Sequence, residues 1–68
     1  MKTINAYTVK RQDFSRVTVR FETSAGTLSQ DVTGMVFDLR TQEGPRNAAY
    51  EAIDLLNAKG YNLDYCLP

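Results

Sequence analysis

The clearest alternation in the chain runs through residues 14–23. Val17, Val19 and Phe21 share one parity, while Arg16, Thr18, Arg20 and Glu22 share the other, the period-two signature of a strand with one apolar face. Residues 4–10 are also rich in β-formers, although Ile4 and Ala6 alternate against Tyr7 and Val9 without a clean parity. Arg11, Gln12 and Asp13 form a short polar break between the two runs, which predicts a hairpin. A second turn is expected at Ser24-Ala25-Gly26-Thr27, where Gly26 is free to adopt a positive φ. The third strand starts at Leu28. Leu28, Gln30 and Val32 share one parity, but Met35, Phe37 and Leu39 share the opposite one. An unbroken strand would send the two sets to different faces, so the pattern predicts a bulge or a break at Gly34.

The pattern then changes period. From Pro45 to Lys59, Ala48, Ala49, Ala52, Ile53, Leu55 and Leu56 fall on one arc at about 100° per residue, and Asn47, Glu51 and Asp54 fall opposite. Gly44 is an acceptable N-cap, Pro45 has its φ preset for the first helical position, and Gly60 follows as the expected left-handed stop. Glu43 and Lys59 each complement the nearer end of the helix dipole. Beyond Gly60, Tyr61, Leu63, Tyr65 and Leu67 alternate with Asn62, Asp64 and Cys66, which predicts a half-buried last strand. The order β-β-β-α-β implies one α+β domain over residues 1–68. It is a two-layer sandwich, with a mostly antiparallel sheet of three to four strands and one helix packed on one face. Whether the last strand joins the first or the third is left open.

Length sharpens this picture. A 68-residue chain buries only about 60% of its unfolded surface, so each large apolar side chain matters. Trp is absent, and four Tyr and three Phe must supply the bulk of the core. Cys66 is the single cysteine, which excludes an internal disulfide. No secretory h-region opens the chain, and no run approaches the roughly 20 apolar residues of a membrane span. A cytoplasmic protein is expected.

The net charge is zero but unevenly distributed. Residues 1–30 carry Lys2, Lys10, Arg11, Arg16 and Arg20 against Asp13 and Glu22, a net of +3, and residues 31–68 carry the balancing −3. The pattern points to a molecule with one basic and one acidic side. Solvated faces are the plainer explanation.

Catalysis is not expected. The chain has no His, so the commonest general base and nitrogen metal ligand are missing, and no ordinary zinc site can form. Cys66 has Asp64 two residues away, which disfavours a thiolate. Asp31 and Asp38 flank the third strand, and Glu51 and Asp54 share the polar helix face. A chain this short has little volume for the cleft that an acid/base pair needs. The four glycines form no phosphate-binding pattern, and no cofactor is implied.

Two candidate binding surfaces remain. The first is the open face of the sheet, with Arg16, Thr18 and Arg20 on the second strand and Lys10 across the hairpin. Sheets that bind single-stranded nucleic acid set aromatic rings among basic residues, a part open to Phe14 or Tyr7. The second is the outer helix face, with Asn47, Tyr50, Glu51 and Asp54, extended by Asp64 into an acidic stripe. By elimination the expected function is a small non-catalytic protein-binding module of the inhibitor, adaptor or regulatory type, compatible with a mobile-element origin. Nucleic-acid binding through the basic sheet face is the alternative. Open sheet edges also allow a homodimer.

Overall fold

The computed structural model describes residues 1–34 and 38–68. Three strands, β1 (Ile4–Asp13), β2 (Arg16–Thr23) and β3 (Gly26–Thr33), form an antiparallel sheet in the order β1-β2-β3. One helix, α1 (Glu43–Ala58), covers one face. The chain is therefore a two-layer α+β sandwich.

The turns follow from short polar side chains. Asp13 Oδ1 accepts the Ser15 N–H at 2.9 Å and the Ser15 hydroxyl at 3.1 Å, which holds the β1–β2 reversal at Phe14-Ser15. β1 thus runs through Arg11-Gln12-Asp13, the residues expected to break it, and β2 begins two residues later than the alternation implies. At the second reversal, the Thr23 hydroxyl donates to the Gly26 carbonyl at 2.6 Å and accepts the Ala25 N–H at 3.1 Å. Gly26 takes φ 113° there.

The irregular parity of β1 has a structural cause. The register against β2 shifts between Ile4 and Ala6, a bulge that returns Ile4 to the same face as Tyr7 and Val9. Tyr7 lies opposite Phe21 and Val9 opposite Val19. β3 stops at Thr33, and Gly34 enters a helical turn, so the chain breaks there. Gly34 donates its N–H to the Ser15 carbonyl at 3.0 Å. A Cβ at this position would meet the Arg11 guanidinium at 2.7 Å and Val17 Cγ2 at 2.8 Å. The opposite parity of Met35 and Phe37 lies outside the described residues.

The core sits between the sheet and α1. Val17, Val19 and Phe21 from β2 are fully buried against Ala48, Ala49, Ala52 and Ile53 of the helix, with Ile4, Val32, Leu56 and Leu63 closing the edges. Each large side chain removed from water contributes about 1.5–3 kcal/mol. Leu55, placed on the apolar arc by its spacing, is instead 36% exposed because it falls at the arc's edge, past Ala48 and Ala52.

Helix α1 begins two residues earlier than Pro45. The Thr41 hydroxyl accepts the Gly44 N–H at 3.0 Å and acts as the cap. Pro45 then lies within the first turn, where an N–H has no intrahelical partner to lose. Gly44 is not the cap. It is buried against the Asp38 backbone, so closely that a Cβ would overlap the Asp38 carbonyl. At the other end, Tyr61 N–H bonds the Leu56 carbonyl and Gly60 N–H bonds the Asn57 carbonyl, with Gly60 at φ 98°. These two bonds form a Schellman stop.

The C-terminal segment is not the expected strand. Only Leu63 is buried, and Tyr61 and Tyr65 are exposed. A single parallel bridge pairs it with Lys2, just before β1: Lys2 N–H bonds the Asn62 carbonyl and Asp64 N–H bonds the Lys2 carbonyl. The segment therefore lies beside the first strand. Two features fix its path. Asn62 takes φ 59°, a left-handed value that Asn tolerates. Asn57 then captures Leu63, accepting its N–H at 2.6 Å and donating to its carbonyl at 3.1 Å. The Leu63 N–H and carbonyl face away from Lys2, so Asn57 closes the outer side of the segment to any further strand.

Candidate binding surfaces

The sheet face away from α1 carries the alternate residues of all three strands. Cross-strand register aligns Lys10 with Thr18 and Asp31, and Thr8 with Arg20 and Ser29. The predicted quartet Lys10, Arg16, Thr18 and Arg20 therefore shares one face. Two acids sit among them. Asp31 accepts the Thr18 hydroxyl at 2.7 Å and lies 3.9 Å from Arg16. Glu22 lies 3.3 Å from Arg20 and accepts the Thr27 hydroxyl at 2.8 Å. These exposed pairs add little stability, but they reduce the field that the three cations present.

The aromatic residues do not join this face. Tyr7 is opposite Phe21 on the helix side, where it packs half-buried against the core. Phe14 stands at the hairpin tip, 79% exposed. A stacking platform needs rings between the cations, and Thr8, Thr18, Thr27 and Ser29 occupy those places instead. A shallow depression of about 140 Å³ on this face is lined by Ala6, Tyr7, Thr8, Arg20 and Glu22. Small-molecule sites typically have about 300–1,000 Å³.

On the opposite side of the molecule, Asn47, Glu51 and Asp54 form an exposed stripe along α1. Tyr50 borders it, half-buried, and its hydroxyl accepts an Arg46 guanidinium N–H at 3.1 Å. The guanidinium carbon lies 5.7 Å from the ring centroid, within cation–π range. On the other border, Tyr65 donates its hydroxyl to Asp54 Oδ1 at 2.5 Å. That bond, strengthened by the Asp54 charge, pushes the Tyr65 phenol above its ordinary range. Tyr65 is 46% exposed. Arg46, Leu55 and Tyr65 thus belong to this surface although sequence spacing did not place them there. Only the chain reversal at Asn62 brings Tyr65 back to the helix.

Asp64 does not extend the acidic stripe. Its carboxylate accepts the Cys66 N–H at 3.1 Å, and its bond and charge push the Cys66 thiol up. A raised thiol keeps less thiolate at neutral pH. Among the described residues, no group of three His, Cys, Asp or Glu side chains could hold a metal ion, and no helix is long and apolar enough to cross a membrane.

Compared with known proteins, this chain matches no family model, no curated protein and no solved structure.

Proposed function

We propose that this chain is a small non-catalytic protein-binding module that works in the cytoplasm and engages a basic partner through the outer face of α1. The observation that carries the reading is the composition of that face. Glu51 and Asp54 are flanked by Leu55 and by the tyrosines at positions 50 and 65, with Arg46 beside Tyr50. Protein interfaces are enriched in Tyr and Arg and use apolar anchors ringed by polar groups. The charge balance of the sheet face favours this reading over nucleic-acid binding. Three cations stand there beside Glu22 and Asp31, with threonines where stacking rings would be needed.

The test is affinity capture from the host lysate with four variants. A partner recovered by the wild type should be lost with Glu51→Lys and Asp54→Lys and retained with Arg16→Ala and Arg20→Ala. The opposite pattern overturns the reading. So does salt-dependent binding of an oligonucleotide that weakens with Arg16→Ala or Arg20→Ala.

A further inference from the structure

The sheet has two outer edges, and they are not equivalent. On β3, Lys59 Nζ donates to the Gln30 side chain at 2.6 Å, so an ammonium lies along that edge. Lysine at an edge is a common guard against strand pairing. β1 is the longest strand, and among the described residues its edge away from β2 is engaged only at Lys2, before the strand begins. Bulges shield its two ends, between Ile4 and Ala6 and between Arg11 and Asp13. Among the described residues, that leaves Ala6–Lys10 regular and without a backbone partner on its outer edge. The helix packs most heavily on β3, and Tyr7 and Val9 on β1 are only partly buried, whereas Val17, Val19 and Phe21 are fully so.

We infer that this edge pairs with the same edge of a second copy, antiparallel about a two-fold axis at Thr8. Antiparallel partners share a face, so registers that mix the helix side with the outer side are excluded. Axes at Lys10 or Arg11 would set like charges opposite each other. An axis at Val9 would set Tyr7 against the partner's Arg11, and one at Tyr7 would set Val9 against the partner's Asn5. At Thr8, Tyr7 meets the partner's Val9 and Val9 the partner's Tyr7 on the helix side. Lys10 meets the partner's Ala6 on the outer side. The apolar pairs Val19-Val9 and Phe21-Tyr7 then join into one row across the four central strands of a six-stranded sheet, with Leu28 at one end and Gln30 at the other. The pairing leaves the outer face of α1 free and does not depend on that face binding a partner.

The open stretch is short, so the dimer belongs to the small, weak class of interfaces. Sedimentation equilibrium up to about 1 mM tests it, using the wild type, Thr8→Lys and Thr8→Glu. Position 8 is exposed, and circular dichroism checks that each variant is folded. The wild type should dimerise. Each variant alone should do so roughly five-fold more weakly, whichever sign it carries, because identical charges meet at the axis. An equimolar mixture of the two variants should recover the association as a mixed pair. A wild type that stays monomeric overturns the inference, as do single variants that dimerise normally or a mixture no tighter than either variant alone.

Discussion

Replacing Gly44 with Ala should unfold this protein more readily, the reverse of what helix propensity forecasts. Gly costs about 1 kcal/mol relative to Ala inside a helix, so Gly44→Ala would ordinarily stabilise α1 by that amount. Here the new Cβ overlaps the Asp38 carbonyl oxygen and lies 2.5 Å from its carbon and 3.2 Å from Leu39 N. The obstacle is backbone. Moving it disturbs the Thr41 cap, whose hydroxyl accepts the Gly44 N–H at 3.0 Å and donates to the Asp38 carbonyl at 2.9 Å. Overpacking costs about 1–3 kcal/mol, and each strained hydrogen bond adds about 1 kcal/mol. After subtracting the propensity gain, the net loss is about 2–4 kcal/mol. A domain of this length has roughly 3–10 kcal/mol in total. In urea, where a small protein loses about 1 kcal/mol per molar, the midpoint should fall by about 2–4 M. Asn47→Ala is the internal control, because Asn47 is exposed on the same helix and should gain about 0.5 kcal/mol from propensity alone. A Gly44→Ala midpoint equal to or above the wild type would refute the close approach of α1 to residue 38.

Two further outcomes follow from polar contacts. Asn57→Ala removes both hydrogen bonds to the Leu63 backbone and should cost about 2 kcal/mol, with the Leu63 amide exchanging faster than the Val19 amide, whose strand is unaffected. Two aspartates should shape the acid limb of stability. Asp13 is held below its ordinary range chiefly by the Ser15 N–H, and Asp38 by the Arg40 side chain. A carboxylate with a depressed folded pKa contributes its full stability above its unfolded pKa and loses it as pH falls through the folded value. Urea midpoints should therefore decline below the ordinary aspartate range, about pH 4. Asp13→Asn and Asp38→Asn should be less stable near neutral pH and lose less on acidification. If the variants keep the wild-type slope, these two groups do not set the acid limb.

What could be read from the chain was whatever depends on neighbours a few residues apart. The parity of Val17, Val19 and Phe21 and the 3.6-residue spacing from Ala48 to Leu56 each bury one face, and both sets, Leu55 apart, lie in the core. Gly60 stops the helix through its own φ, and Gly34 marks the end of β3. The outer sheet residues Arg16, Thr18 and Arg20 were likewise legible, since they alternate with buried ones.

What only the tertiary structure decided concerns residues distant in sequence. That Asp31 answers Thr18 and Arg16 depends on the β2–β3 register. That Ile4 shares a face with Tyr7 depends on a bulge whose place the irregular parity of residues 4–10 does not fix. The alternation of Tyr61, Leu63, Tyr65 and Leu67 reads as a strand until Asn57 claims the Leu63 backbone and Tyr65 turns to Asp54. Side-chain periodicity reports which way a residue points and not which partner waits there. An alternating sequence alone does not make a strand. The C-terminal segment touches the sheet at a single bridge to Lys2, and Asn57 closes its outer side.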